Sequence, residues 1–123
     1  MAVGTPSGDD GNANLTYLYA ALDSLIPFME DDLIVVLKST VPVGTGDEVE
    51  LIMSKKLDKD KFAVVSNPEF LREGAAIDDF KRPDRIVIGT ENEQARSVMS
   101  EIYRPLFLNK SPILFTGRRT AEL

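Results

Sequence analysis

Residues 62–89 read FAVVSNPEFLREGAAIDDFKRPDRIVIG. Two short apolar, largely β-branched runs, residues 62–65 and 86–88, read as strands. The polar stretch between them is dense in groups that can do chemistry, among them Asn67, Glu69, Arg72, Glu73, Asp84 and Arg85. A strand that runs out into Asn67-Pro68-Glu69 delivers a carboxylate to the rim of a sheet. A helix beginning after Pro68 puts Glu69 and Glu73 four residues apart on one face. Two bland readings stand beside this one: a helix-start carboxylate for Glu69 and a surface charge for Glu73.

Working outward, the chain alternates strand and helix. Downstream, Thr90 and Glu93 have capping-box spacing. Ala95, Val98, Met99, Ile102, Tyr103 and Leu106 then form a helical stripe, interrupted by Pro105. Residues 113–115 read as a strand, and Thr120 as the N-cap of another helix. Upstream, residues 33–37, LIVVL, have the wholly apolar character of a strand covered on both faces. That strand ends in Lys38-Ser39-Thr40, and Thr45 and Glu48 predict a second capping box, opening a helix to about residue 57. Leu15, Leu18, Tyr19, Leu22, Leu25 and Ile26 predict a helix with Asn14 as N-cap. Ala2-Val3 reads as the tail of a strand turning at Gly4-Thr5-Pro6. The expected class is α/β, Rossmann-like, with a mainly parallel sheet and flanking helices. Both ends fall inside an element, so the chain is expected to be a piece of a longer protein.

Composition narrows the function. The 123 residues suffice for one domain, and 43% hydrophobic with 28% charged residues is globular usage. A net charge of −6, from 20 acidic and 14 basic residues, argues against a nucleic-acid partner. No apolar run approaches the ~20 residues of a membrane span, and the N-terminus lacks the build of a secretion signal; a cytoplasmic location is expected. Cysteine and histidine are absent, which excludes thiolate chemistry, disulfides, zinc sites and a Ser-His-Asp triad within this chain. Two Asn-x-Ser/Thr triplets, at Asn14 and Asn109, are read as chance matches.

Three successive strands end in Gly4-Thr5-Pro6, Lys38-Ser39-Thr40 and Asn67-Pro68-Glu69. In a parallel sheet these ends share the carboxyl rim, where open α/β sheets bind ligands. At these motifs the chain resembles the UDP-glucose/GDP-mannose dehydrogenase family. The matching stretches are Val3-Gly4-Thr5-Pro6, Val36 to Thr45 (VLKSTVPVGT), Asn67 to Gly74 (NPEFLREG), and Pro83 to Gly89 (PDRIVIG). The last is more like the members acting on UDP-glucose than those acting on GDP-mannose. Thr120-Ala121-Glu122-Leu123 is similar to the start of the helix linking the family's two domains.

The resemblance implies an NAD-dependent, two-step oxidation of the C6 alcohol of UDP-glucose to UDP-glucuronate, in an enzyme that is a homo-oligomer at full length. It implies that Thr5, Ser39, Thr40 and Glu73 serve the cofactor. Thr40 and Glu69 serve catalysis, Thr40 by holding a water and Glu69 as general base. Glu69, Phe70, Leu71, Arg72 and Glu73 line the substrate path. Lys38 is read as structural or solvated, and Asp84 and Arg85 as a local pair or turn. The departures are equally specific. There is no Gly-x-Gly-x-x-Gly, no nucleophilic cysteine, and no counterpart of the lysine and asparagine expected beyond Leu123. The chain is therefore expected to be the second half of an NAD-binding domain, inactive by itself. The competing readings are a non-catalytic α/β nucleotide-binding or assembly module, and a GDP-mannose 6-dehydrogenase.

Overall fold

The structure, a computed structural model, describes all residues but 109 and 110; the Asn109 triplet lies outside the described residues. In chain order the elements are α1 (Thr16–Leu25), β1 (Leu33–Leu37), α2 (Thr45–Ser54), β2 (Phe62–Ser66), α3 (Ala76–Lys81), β3 (Ile86–Gly89), α4 (Glu93–Leu108), β4 (Ile113–Thr116) and α5 (Arg118–Glu122). Short 3₁₀ turns at Ile26–Phe28 and Lys59–Lys61 precede β1 and β2. The strands form one sheet in the order β1-β2-β3-β4. β1 and β2 are parallel, as are β3 and β4. β2 and β3 meet antiparallel at the single pair Ser66–Gly89. The sheet is thus mainly parallel, with one reversal at its middle.

Period-two alternation sorts the strand residues onto two faces. Val35, Leu37, Phe62 and Val64 face one way and pack with Leu18 and Leu22 of α1, with Ile26 of the turn after it, and with Val49 and Met53 of α2. Ile34, Val36, Ala63 and Val65 face the other way and, with Ile86 and Ile88, meet Ala95, Met99 and Tyr103 of α4. Leu18, Leu22, Leu37 and Met53 have at most 1% exposure, and each such burial stabilises the fold by about 1.5–3 kcal/mol. The run at 33–37 is wholly apolar because both of its faces are covered.

Met1 lies along the outer edge of β1. Its amino group donates to the Val36 carbonyl (2.5 Å), and the Lys38 N–H donates to the Met1 carbonyl (2.8 Å). These bonds straddle Leu37, the pattern of a parallel pair. The strand tail expected at Ala2-Val3 is therefore placed as such, though too short to count as a strand.

The helix starts differ from the expected caps. Thr45 is the first residue of α2, not its cap; its hydroxyl donates to the Pro42 carbonyl (2.7 Å). The cap position is Gly44 at φ 97°, a left-handed conformation that suits glycine. α4 is capped by Asn92, whose Oδ1 accepts the Ala95 N–H (2.8 Å), while Thr90 only accepts the Asn92 N–H. Pro105 does not end α4, which continues to Leu108. Thr120 lies inside α5, whose cap position is Gly117. Asn14 does act at the start of α1, its Oδ1 accepting the Thr16 N–H (2.9 Å). No helix among the described residues is long and apolar enough to cross a membrane.

α5 packs on β3, β2 and α2, and Gly89 makes that possible. A Cβ there would lie 2.5 Å from the Ala121 Cβ and 2.9 Å from the Arg118 Cα. Gly89→Ala is therefore expected to destabilise by about 1–3 kcal/mol, read as a lower denaturant midpoint. Gly4→Ala, where a Cβ meets nothing within 4 Å, is the control and should leave the midpoint nearly unchanged.

Candidate functional site

The segment after β2 is not helical. Residues 67–72 have no regular secondary structure, and α3 begins only at Ala76. Glu69 and Glu73 therefore share no helical face. Four hydrogen bonds hold this course. The Leu71 N–H donates to Glu69 Oε2 (2.9 Å). Arg72 donates to Asp79 from its backbone N–H, its Nε and its Nη2 at 2.6–3.0 Å.

This segment forms one wall of a cleft of about 290 Å³ at the carboxyl ends of β1 and β2. Glu69, Phe70, Leu71 and Arg72 all line it; Glu73 does not. The facing wall comes from residues 79–86 and from Tyr103 and Leu106 of α4. Phe70 and Leu71 are 50% and 41% exposed, so the wall offers accessible apolar surface between the charged Glu69 and Arg72. The Arg85 guanidinium sits over the Phe70 ring, 4.8 Å from its centre. Arg85 is therefore part of the cleft, and its expected local pairing with Asp84 is absent among the described ion pairs.

The floor is a closed polar cluster centred on Asn67. Asn67 is 1% exposed. Its backbone N–H donates to the Leu37 carbonyl (2.9 Å), and its Nδ2 donates to the Val87 carbonyl (2.7 Å). Its Oδ1 accepts from Lys38 Nζ (3.1 Å) and from the Tyr103 hydroxyl (2.5 Å). Lys38 Nζ also donates to the Tyr103 hydroxyl oxygen (3.0 Å). An ammonium has three donors, and the described residues take two of these. Lys38 is thus a half-buried cation held at the cleft floor. Sequence reasoning set Lys38 aside and filed Tyr103 with the core. Tyr103 does sit in the apolar stripe, and only its hydroxyl breaks that pattern.

The remaining candidates gather beside the cleft. The Thr5 hydroxyl donates to the Thr40 carbonyl (3.0 Å). The Ser39 hydroxyl donates to the Val3 carbonyl (2.6 Å) and accepts the Val3 N–H (2.9 Å). Thr40 is exposed. Three sequence-expected residues are thereby brought to one rim, while Glu73 stands apart on the surface.

A dinucleotide makes two demands on such a rim. Hydroxyls and exposed polar groups suit its ribose and ring amide, and Thr5 and Thr40 offer these. A glycine-rich turn suits its pyrophosphate, and this sequence has none. The fit is to one part of the cofactor.

An open α/β sheet with helices on both faces and a polar cleft at its carboxyl rim defines a nucleotide-cofactor-binding domain. The chain belongs to the UDP-glucose/GDP-mannose dehydrogenase family; the model of that family's NAD binding domain matches residues 1–107. It is 60% identical over 126 residues to the UDP-glucose 6-dehydrogenase of Rhizobium meliloti, covering 100% of this chain and 29% of that protein. A UDP-glucose dehydrogenase from Pyrobaculum islandicum superposes with a TM-score of 0.87 at 43% identity, over 98% of this chain and 28% of that one. A GDP-mannose dehydrogenase from Pseudomonas aeruginosa also gives 0.87, at 34% identity and the same coverages. The chain spans less than a third of the length of these relatives.

The Arg72–Asp79 pair gives the cleft wall a pH signature. Hydrogen bonds from the Arg72 guanidinium, then from its backbone N–H, hold the Asp79 carboxyl at about 2, below its ordinary 3.8. A depressed folded-state value means the pairing contributes fully above the ordinary value and is lost as pH falls through about 2. In an NMR titration the Arg72 amide should shift with a midpoint near 2, and Asp79→Asn should abolish the shift. A midpoint at the ordinary carboxylate value would show that the pair does not form.

Proposed function

We propose that this chain supplies the second half of the NAD-binding domain of an NAD-dependent UDP-glucose 6-dehydrogenase. That enzyme oxidises the C6 alcohol of UDP-glucose to the carboxylate in two steps. The observation that carries the reading is the position of Glu69. It lines the cleft with one carboxylate oxygen, Oε2, committed to the Leu71 N–H. The other oxygen makes no hydrogen bond among the described residues and is available to take a proton. Family membership, and 60% identity to a UDP-glucose 6-dehydrogenase against 34% to a GDP-mannose dehydrogenase, favour the UDP-sugar.

In this reading Glu69 is the general base for the alcohol, directly or through a water held by the Thr40 hydroxyl. Such a base contributes typically 10²–10⁴-fold. Phe70, Leu71 and Arg72 flank the sugar nucleotide. Thr5, Ser39, Thr40 and Glu73 serve the cofactor. Ser39 does so largely by stitching Val3 to the end of β1, because its hydroxyl is already used on both sides. NAD, when bound, accepts the hydride. The phosphate-binding turn, the cysteine nucleophile and the sugar-binding domain belong to other parts of the full-length protein, so this chain alone does not turn over.

The test is a chimera in which this chain replaces the matching residues of the Rhizobium meliloti enzyme. The chimera should form NADH from NAD and UDP-glucose, and Glu69→Gln should lower kcat by about 10²–10⁴-fold. The isolated 123 residues should form none. A folded chimera without activity, a Glu69→Gln chimera with unchanged kcat, or turnover by the isolated chain overturns the reading. A clear preference of the chimera for GDP-mannose overturns the choice of sugar.

A further inference from the structure

The first turn of a helix leaves N–H groups that need an acceptor. In α2 the local candidate, Thr45, has turned its hydroxyl to donate to Pro42. The acceptor comes instead from the far end of the chain. Glu122 of α5 takes the Gly44 N–H on Oε2 (2.7 Å) and the Gly46 N–H on Oε1 (2.8 Å). The Ser66 hydroxyl donates to the same Oε1 (2.8 Å). One carboxylate thus holds the start of α2 and the end of β2 together.

The surroundings are shaped for it. A Cβ on Gly46 would lie 2.8 Å from Glu122 Oε1 and 3.1 Å from Ser66 Oγ, so only glycine leaves room there. Gly44 turns its N–H toward the carboxylate from a left-handed conformation. Arg118 anchors the other side of α5, donating to Asp47 Oδ1 (2.8 Å) and Glu50 Oε2 (2.5 Å). Arg119 adds a bond to Asp47 Oδ2 (2.6 Å). Docking of α5 on α2 is therefore provided for without Glu122, whose bonds go to the two rim segments.

Those segments carry the residues assigned to catalysis. Gly44 lies four residues after Thr40, across the turn 41–44. Ser66 lies three residues before Glu69, and Asn67 between them is locked to β1 and β3. We propose that Glu122 is a positioning residue that fixes the Thr40 turn and the Glu69 segment relative to each other. This rests on the reading of Thr40 and Glu69 given above. Loss of the carboxylate removes the direct tie between the two segments and loosens each. The effect then falls on the rate of the chemical step rather than on binding, because a displacement of about 1 Å in a reacting group can cost 10²-fold.

The test uses the chimera carrying Glu122→Ala or Glu122→Gln, with Arg119→Ala as a control on the same helix. Hydrogen–deuterium exchange should speed up in both 38–46 and 66–72 for the Glu122 variants. It should stay unchanged in α1 and α4, and in both rim segments for Arg119→Ala. kcat should fall about 10- to 100-fold for Glu122→Ala and less for Glu122→Gln. KM for UDP-glucose should stay nearly constant, the signature of a group acting only on the transition state. Where Glu122→Ala does not fold, Glu122→Gln, which keeps the shape and one acceptor oxygen, decides. Exchange that rises in neither segment or only in one overturns the proposal, as does an unchanged kcat in a chimera that turns over. The exchange readout needs no activity, so an inactive unsubstituted chimera counts against the functional reading alone.

Discussion

The buried side chain of Asn67 is the constraint on which the architecture of the cleft depends. It sits at 1% exposure where β2 runs out, and all of its polar groups are used. While the Asn67 backbone N–H bonds the Leu37 carbonyl of β1, the side chain ties β2 to β3 through Val87 and to α4 through Tyr103. It also holds the Lys38 ammonium. A buried amide left without partners costs about 1–3 kcal/mol per group, so the cluster forms as a unit or not at all. Because Asn67 is fixed, Pro68 and Glu69 leave the sheet in one direction, and Glu69 comes to line the cleft.

The reversal at the middle of the sheet serves the same end. β2 and β3 approach from opposite directions and share only Ser66–Gly89, so the chain after β2 runs alongside β3 instead of turning at once into a helix. That course lets residues 67–72 line a cleft whose opposite wall is the approach to β3. A continuous parallel sheet places a crossover helix there instead.

Much of this was legible in the sequence. The strands at 33–37 and 62–65 showed as branched apolar runs because both their faces are buried, and the second runs one residue further, to Ser66. α1 and α4 showed as clean stripes because each buries one side only. The motif-bearing segment 67–72 was found, as was the common rim of Thr5, Thr40 and Asn67. The cap of α2 was not found, because a capping box is a local pattern and the acceptor there is remote. Nothing near Thr45 reveals that a glutamate 76 residues past Gly46 supplies its bond. The helix expected after Pro68 failed for a similar reason. The Arg72–Asp79 pair spans seven residues, and two glutamates four apart on a helix repel each other. Lys38 was undervalued because its role depends on Tyr103, which is 65 residues away.

The most direct measurement is a crystal structure of the Glu69→Gln chimera with UDP-glucose and NAD bound. The expected result is the sugar lying along residues 69–72 with its C6 hydroxyl within hydrogen-bond reach of residue 69, and the Asn67 cluster intact beneath it. A sugar bound elsewhere, with residue 69 turned to solvent, contradicts the assignment of this cleft to the chemistry.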